Sequence, residues 1–399
     1  MAFRGLWARS SRLSMSAVLG CVLLCCALGA HAQKNLVYIN GDITATGQNA
    51  VLALINDGSG NMSPVTGSPF ATKGTGVAGT GDPLADTQWD SEGEIVTNPQ
   101  GALLYVVNGH SNDFSGFSIL PDGSLSLIAG SPFPSGGTQP ASIGYKDNAL
   151  GNGLSLMVIA NKDSDPFQKQ TAPNYTSFQV SAAGVPTMNP GGKFPQPAGS
   201  SPAQILVPPN APQYFFGIMY LGKNVGTYKL DRAGVITKTS SLTTSGKKVG
   251  SVLNPKVKGF YTTEPNVDKL SVFSYDASFN LSSLSTLASP GNAPCWAATN
   301  KAGTRLYIGE TLSGSVTVYD ITNSKNPLQL QHLVLSGTMP YATHTRLDPT
   351  EKFLYVLDRQ GVLHVLDVLA DGTVSENRAP YNLGLPSGTV PLGLAVLSK

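Results

Sequence analysis

A short run of residues with high β propensity recurs seven times along this chain. With Tyr38 as the centre of the first copy and Tyr355 as the centre of the last, successive centres lie 43 to 67 residues apart. Each copy is rich in aromatic and β-branched residues, which favour strands. The copies cover residues 37–40, 104–108, 157–161, 217–220, 260–263, 306–309 and 354–357. A β-rich unit repeated at this period indicates an array of similar sheets rather than one large sheet.

The most regular copy, residues 339–374, shows how one unit is built. Alternating runs at 342–347, 353–358 and 362–368 are separated by turn residues, and Asp371-Gly372 introduces a fourth run. Alternation with Gly, Pro and Asp punctuation is typical of antiparallel strands. An equivalent third run follows every copy, at 50–55, 114–120, 175–180, 225–230, 270–275, 315–319 and 362–367. The sequence therefore predicts an all-β fold, a seven-bladed β-propeller with four-stranded antiparallel blades.

The two ends of the repeated region predict that the ring closes. The first unit begins on a second strand at residues 36–40, with no first strand before it. Residues 391–397, after the last unit, look like a lone first strand. Pairing these two segments completes one blade and removes the exposed strand edges of an open arc. We therefore predict one propeller domain over residues 33–399.

Residues 1–32 have the composition of a secretory signal peptide. Arg4, Arg9 and Arg12 precede an apolar run at 15–28, and small residues lie around Ala32. The apolar run is short for a membrane span, so a cleaved leader is favoured over an anchor. We expect a secreted or periplasmic protein, cleaved near Ala32 and without a membrane span.

The remaining composition excludes several classes of function. Removal of the three arginines of the leader leaves 23 of the 26 basic residues and all 24 acidic residues. The net charge is then close to zero, so the composition predicts no basic surface that would bind nucleic acid. Cys295 is the one cysteine after residue 32, which leaves no pair for an internal disulfide. The carboxylates are scattered, with no calcium-loop pattern, so we expect no metal. We also expect no cofactor, and a monomer.

The strands and turns resemble those of a known family. The Tyr-Val-Asn-like second strands, the Asp-Gly turns and the Asn-Pro or Asp-Pro turns resemble the lactonase-type, 6-phosphogluconolactonase-like, seven-bladed propellers, with wider kinship to the Tyr-Val-Thr-Asn repeat propellers. The resemblance implies hydrolysis of a sugar lactone or similar cyclic ester. Enzymes of the family carry a histidine on the first strand of an early blade, whereas the matching stretch here, residues 140–144, has none. That departure favours the alternative, a non-catalytic propeller that binds a carbohydrate or protein at the cell envelope.

Alignment of the first strands predicts a ring of side chains at the mouth of the central channel. One position from each blade comes into register: Gly393, Glu94, Ser142, Gln204, Gly250, Trp296 and His344. The loops between second and third strands add His110, Asp113, Lys162, Asp163, Glu310, Asp358 and Arg359 around this ring. Long insertions at 71–90 and 162–174 are expected to overhang the same end of the channel.

Lactone hydrolysis assigns roles to some of these residues. The reaction needs a base to activate water, and Glu94 or His344 is expected to supply it. It also needs a donor for the developing oxyanion or for a substrate carboxylate, expected from Arg359, Lys162 or Gln204. Trp296 and His110 complete the predicted substrate-binding set. The alternative is that Glu94 and His344 only make structural hydrogen bonds inside a narrow channel.

Overall fold

The computed structural model describes residues 34–80, 91–147, 149, 155–209, 211, 213–337 and 340–398. The predicted leader and the second half of the first insertion lie outside these residues. Within them the chain forms 31 β-strands and no helix, and hence no helix long and apolar enough to cross a membrane. The all-β prediction is confirmed.

The strands fall into seven consecutive groups along the chain. The first three groups comprise β1 (Asn35–Asn40), β2 (Ala50–Asn56), β3 (Met62–Pro64) and β4 (Phe70–Ala71); β5 (Ile95–Thr97), β6 (Leu103–Asn108), β7 (Asp113–Ile119), β8 (Leu125–Leu127) and β9 (Phe133–Pro134); and β10 (Pro140–Lys146), β11 (Ser155–Asn161), β12 (Asn174–Val180) and β13 (Pro186–Pro195). The next two comprise β14 (Pro202–Leu206), β15 (Tyr214–Met219), β16 (Asn224–Leu230) and β17 (Ile236–Thr243); and β18 (Ser251–Leu253), β19 (Gly259–Glu264), β20 (Lys269–Tyr275) and β21 (Leu281–Ala288). The last two comprise β22 (Pro294–Thr299), β23 (Arg305–Glu310), β24 (Ser315–Asp320) and β25 (Leu328–Val334); and β26 (Ala342–Leu347), β27 (Phe353–Asp358), β28 (Val362–Val368), β29 (Val374–Ser375) and β30 (Tyr381–Asn382), before the final β31 (Leu392–Ser398).

Each group forms one antiparallel blade with its strands in chain order, and the ring closes through the ends of the domain. In blades two to seven, four successive strands pair as neighbours. In blade one the inner strand is β31, which pairs with β1 so that Leu397 lies opposite Leu36 and Leu394 opposite Ile39. The predicted second strands, including the one centred on Ile218, and the predicted closure are confirmed.

The apolar core is divided among the interfaces between blades. Blades one and two share a cluster that includes Tyr38, Leu104 and Phe117, and blades seven and one share another around Leu357 and Leu394. The other interfaces hold equivalent clusters. The second strands lie between two such clusters, which is why β1, β19 and β27 are buried along their whole length. The centres of β1 and β27 are therefore apolar without alternation.

A buried or partly buried side-chain hydrogen bond links each blade to the next. One partner lies on a second or third strand. The other lies in the following blade, in the turn between its third and fourth strands or, for Asn56, at the end of the third strand. The pairs, in order around the ring, are Tyr38–Gly123 (2.8 Å), Tyr105–Gly184 (2.7 Å), Ser177–Gly234 (2.5 Å), Thr227–Phe279 (2.9 Å), Tyr261–Ser324 (3.1 Å), Tyr307–Gly372 (2.9 Å) and Tyr355–Asn56 (2.6 Å). In the first six a hydroxyl donates to a backbone carbonyl, and in the last the Asn56 amide donates to the tyrosine hydroxyl. These blade-to-turn bonds explain why tyrosine recurs in the second strands.

The turns at these bonds depend on glycine for a local reason. Gly123, Gly184, Gly234 and Gly372 have φ of +89°, +79°, +80° and +83°, a left-handed backbone that is strained for other residues. A Cβ on Gly123 would also lie 2.4 Å from Leu36 of the preceding blade. The Asp-Gly turns of the sequence are therefore the points at which one blade meets another.

Removing one tyrosine hydroxyl tests this account of the repeat. In Tyr105→Phe the buried carbonyl of Gly184 loses its donor, so we expect the free energy of unfolding to fall by about 1–3 kcal/mol. Tyr214→Phe is the matched control, because Tyr214 is half-buried and its hydroxyl has no partner among the described residues. Urea unfolding of both variants gives the comparison. Equal stability of the two variants would show that the blade-to-turn bond contributes nothing.

Candidate functional site at the channel mouth

The inner strands carry irregularities where they reach the channel mouth. The pairing of first and second strands shifts at Pro140/Ser142, Pro202/Gln204, Pro294/Ala297 and Ala342/Thr345, and the Ile39/Asn40 pairing with β31 shifts around Gly393. A β-bulge adds an unpaired residue and changes the direction of the side chains around it. Trp296 and His344 both lie inside such bulges. The bulges thus set the directions of the Trp296 and His344 side chains.

His344 is held at both ring nitrogens. The backbone N–H of Gly393 donates to its Nδ1 (3.2 Å), so the proton of the neutral ring lies on Nε2, which donates to Glu94 Oε2 (3.0 Å). The Trp296 ring packs against the imidazole at 4.5 Å between centroids. Burial lowers the pKa of His344 to about 3, against the attraction of Glu92, and the charges of Arg346 and Arg359 lower it further. His344 is therefore a neutral hydrogen-bond donor near pH 7.

The two carboxylate oxygens of Glu94 have different surroundings. The residue is 1% exposed, and burial raises its pKa to about 8 although Lys162 and Arg346 favour the charged form. Oε2 accepts the bond from His344, whereas Oε1 has no hydrogen-bond partner in the described part of the chain. A buried carboxylate with a raised pKa is suited to proton transfer near neutral pH.

Asp42 lies beside Glu94 at a small cavity. Its Oδ1 accepts from the N–H of Val77 (3.0 Å), while its Oδ2 is also without a partner among the described residues. Burial raises the pKa of Asp42 to about 8, and repulsion from Glu94 adds to the shift. Asp42 and Glu94 line a cavity of ≈ 10 Å³ together with Ser91 and Gln139. A water molecule needs roughly 10–15 Å³, so the cavity has room for one.

The segment 91–94 crosses the channel and joins four blades. Trp296 Nε1 donates to the carbonyl of Ser91 (2.5 Å), and Lys162 Nζ donates to Ser91 Oγ (3.3 Å). The N–H of Glu92 donates to Ala203 O (3.0 Å). The carboxylate of Glu92 forms an ion pair with Arg346. This short segment therefore fixes Glu94 against His344.

The other predicted residues occupy different positions. Lys162 is buried, with its ammonium group 5.5 Å from the centre of the Tyr220 ring. Gln204 bonds Ser251 with both ends of its amide, at 2.9 and 2.7 Å, which orients it along the channel wall. His110 lies outside the ring, where its Nδ1 pairs with Asp165 (2.7 Å) and its side chain is 39% exposed. The structure brings together Glu94, His344 and Trp296, with Lys162 joined to them through Ser91.

Arg359 borders a second, larger cavity. That cavity has a volume of ≈ 680 Å³ and is lined by Arg359, Gln360 and Gly361, by Gly79 and Thr80 of the first insertion, and by residues between Asn382 and Val390. These segments lie on the face where the inner strands begin. The positive charge of Arg359 is one of the smaller causes that lower the pKa of His344, after burial. Arg359 therefore connects the larger cavity electrostatically to the buried site.

Sequence reasoning missed Asp42, Glu92 and Arg346. Glu92 lies before the first strand of blade two, and Arg346 follows the bulge that contains His344, so strand periodicity could not predict their ion pair. Asp42 follows the second strand of blade one, in the loop type from which the other blades contributed candidates. Within the described ranges no cluster of three or more His, Cys, Asp or Glu residues could hold a metal ion.

Comparisons with known proteins agree with this fold and with the resemblance noted above. A family model for the lactonase 7-bladed beta-propeller matches residues 214–383. A candidate 6-phosphogluconolactonase from Bacteroides fragilis is 14% identical over 92% of this chain and 98% of that chain, with a TM-score of 0.68. The periplasmic gluconolactonase of Pseudomonas aeruginosa is 14% identical over 90% of this chain and 99% of that chain, also with a TM-score of 0.68. No curated protein matches the sequence. The chain is thus similar in fold to these structures, and its residues 214–383 are similar to the lactonase family.

The raised pKa of Glu94 leads to a prediction about how stability depends on pH. Its pKa in the folded protein, about 8, exceeds its ordinary value of 4.5. The unfolded chain therefore releases this proton at lower pH, and the folded state loses stability from this group as pH rises from 4.5 to 8. Relative to wild type, Glu94→Gln should become increasingly stable across that window in urea unfolding at pH 5, 7 and 9.

The control is Asp276, an exposed carboxylate whose pKa is lowered rather than raised. Asp276 is on the surface, and a hydrogen bond from Asn280 is the main cause that lowers its pKa. Asp276→Asn should leave stability unchanged or reduce it at neutral pH. If Glu94→Gln showed the same pH dependence as Asp276→Asn, the raised pKa of Glu94 would be refuted.

Proposed function

We propose that this protein is an exported hydrolase that opens a sugar lactone or a similar cyclic ester at the mouth of its channel. The observation that supports the proposal most directly is the arrangement of Glu94. One of its oxygens accepts a hydrogen bond from His344, the other has no hydrogen-bond partner among the described residues, and Glu94 lines a cavity of about the volume of one water molecule. This is the geometry expected of a base that activates water. The similarity to lactonase-type propellers supports the same reaction class.

In the proposed mechanism Glu94 is the general base and His344 is a positioning residue. The neutral imidazole donates from Nε2, with its tautomer set by Gly393, and holds the carboxylate in one orientation. Glu94 removes a proton from water, and the water oxygen attacks the lactone carbonyl carbon. The ring C–O bond then breaks, and the alkoxide takes up the proton from Glu94, so that the product is a hydroxy acid.

A cation is needed to stabilise the oxyanion that forms during the attack. We assign this role to Arg359, which borders the 680 Å³ cavity and lies close enough to His344 to lower its pKa. That volume is within the range of small-molecule sites. We place the substrate there, with its carbonyl directed toward the channel. Lys162 is the second cation near Glu94.

A second function is favoured by one observation. His344 is fully buried and Glu94 is 1% exposed, and the two side chains bond each other. A dyad closed in this way also suits a non-catalytic propeller, in which the pair joins the blades and a carbohydrate or protein binds at the cell envelope. The two functions differ in whether any lactone is turned over.

A lactone panel tests the catalytic proposal. We expect hydrolysis above the spontaneous rate, and we expect kcat/KM to rise with pH toward a plateau above about 8, because Glu94 must be ionised. Glu94→Gln should lower kcat by about 100-fold or more. His344→Gln should lower it less, since the imidazole only orients the base.

Tyr214→Phe controls for losses of activity caused by purification or by misfolding, because Tyr214 lies away from the channel mouth. An absence of turnover with every lactone, in a protein that is folded by circular dichroism, would favour the binding function. Turnover that survives unchanged in Glu94→Gln would refute the assignment of the base but not the reaction class.

Export makes a separate prediction. Expressed with residues 1–32 in a bacterium that has a periplasm, the protein should appear in the periplasmic fraction with Gln33 at its N-terminus by mass spectrometry. A version starting at Met followed by residue 33 should stay in the cytoplasm. An intact N-terminus in the membrane fraction would instead indicate an anchor.

A further inference from the structure

Asp42 is held in one position by the backbone around it. It follows the second strand of blade one with a φ of +50°, a left-handed conformation that Asp and Asn tolerate better than most residues. Its N–H donates to Asn40 Oδ1 (3.2 Å), and its Oδ1 accepts from the N–H of Val77 (3.0 Å). A Cβ on Gly76 would lie 2.2 Å from the carbonyl carbon of Asp42, so the first insertion packs directly against this residue. Backbone strain of this kind is concentrated at functional sites.

The hydrogen bond of Oδ1 decides which oxygen of Asp42 can carry a proton. Oδ1 accepts from a backbone N–H, whereas a protonated carboxyl oxygen is a donor, so a proton on this carboxyl lies on Oδ2. Oδ2 is the oxygen that has no hydrogen-bond partner among the described residues. Glu94 is similar, because Oε2 accepts from His344 and Oε1 is without a partner in the same ranges. Each of these two buried carboxyl groups therefore leaves one oxygen unbonded.

The surrounding charges favour different protonation states of the two carboxyl groups. Burial raises the pKa of Glu94, but Lys162 and Arg346 favour its ionised form. Burial is also the main cause that raises the pKa of Asp42, and the charged groups that act on Asp42, Glu94 and Asp165, are both acidic. Two carboxylates that share a buried site repel each other, so one of them stays protonated. Glu94 is the one that ionises first, and Asp42 is the one that keeps its proton.

The cavity that Asp42 and Glu94 line has about the volume of one water molecule. Buried waters bond to polar groups that would otherwise lack a partner. We propose that protonated Asp42 donates a hydrogen bond from Oδ2 to a water in this cavity, and that the water in turn donates to Oε1 of Glu94. Asp42 is then a positioning residue for the water that attacks the lactone, a role that rests on the proposed function.

This arrangement gives the attacking water one orientation. The hydrogen bond from Asp42 occupies one lone pair of the water oxygen, and the bond to Glu94 directs one of its protons at the base. The second lone pair is left for the carbonyl carbon, which is the benefit of fixing a reactant before it reacts. Glu94 takes the proton of the water and later gives it to the alkoxide. Asp42 keeps its own proton throughout, so the reaction balances without a further acid.

The protonation of Asp42 is tested without a substrate. Its pKa is about 8 in the folded protein against an ordinary value of 3.8, so the folded state loses stability from this group as pH rises across that window. Relative to wild type, Asp42→Asn should become increasingly stable in urea unfolding at pH 5, 7 and 9. The gain should be smaller in the Glu94→Gln background, because the repulsion from Glu94 is removed. A difference between Asp42→Asn and wild type that does not change with pH would show that Asp42 is ionised, and would overturn the proposal.

Lactone hydrolysis distinguishes a donor at position 42 from a base. Asparagine fits the φ of +50° and donates from Nδ2, so Asp42→Asn should keep kcat within about threefold of wild type. Glycine also fits this φ but has no donor, so Asp42→Gly should lower kcat by about tenfold, the effect of one hydrogen bond, and leave KM nearly unchanged. Asp268→Asn is the matched control. Asp268 also has a φ of +50° and accepts from a backbone N–H, that of Ala293 (2.7 Å), but it is partly exposed.

The outcomes separate this role from the reaction itself. A loss of kcat in Asp42→Asn as large as that in Glu94→Gln would show that position 42 acts as an ionised base. An unchanged kcat in a folded Asp42→Gly would show that the water needs no donor. Either result overturns the role of Asp42 and leaves the lactonase proposal standing. If folded wild type hydrolyses no lactone, the proposed function and the positioning role both fail, and the urea series then decides separately whether Asp42 is the protonated member of the pair.

Discussion

The hydrogen bond from one blade to the turn of the next is the interaction on which the ring depends. Apolar side chains between blades supply most of the burial, but they are non-directional and allow neighbouring sheets to slide. The hydroxyl of Tyr38 or Tyr105, buried and aimed at a single carbonyl, fixes the relative position of two blades. Repeated at every interface, with the Tyr355–Asn56 pair at the closure, these bonds make seven separate sheets into one rigid ring.

A rigid ring allows residues distant in sequence to meet at its centre. Glu94 comes from blade two, Trp296 from blade six and His344 from blade seven, yet they touch across the channel. The bulges in the inner strands direct these side chains inward, and the segment 91–94 crosses between them. Burial then sets the protonation states of the two residues, because it raises the pKa of Glu94 and lowers that of His344. The burial that shifts these two pKa values also limits the access of a ligand to Glu94 and His344.

The sequence was sufficient for nearly all of the fold. The seven second strands, the ring closure and the four-stranded blades follow from local patterns, since strand alternation and turn chemistry are read within a few residues. The register that placed Glu94 and His344 on one ring was also available, because the first strands of blades two, five, six and seven are followed by Asn98, Asn254, Asn300 and Asp348. For example, the side chain of Asn98 accepts hydrogen bonds from the N–H groups of Ala102 and Leu103.

The rest of the site was decided by contacts that no local pattern contains. The tautomer of His344 depends on the backbone of Gly393, which follows it by 49 positions. Three further features depend on which segments pack against each other. They are the hydrogen bonds of Gln204 to Ser251, the ion pair of Glu92 with Arg346, and the oxygens of Asp42 and Glu94 that have no partner among the described residues. The sequence by itself determined the repeat, because alternation and turns are local. Only the tertiary structure decided the charge states and hydrogen-bond partners at the centre, because these depend on burial and on neighbours brought together by closure of the ring.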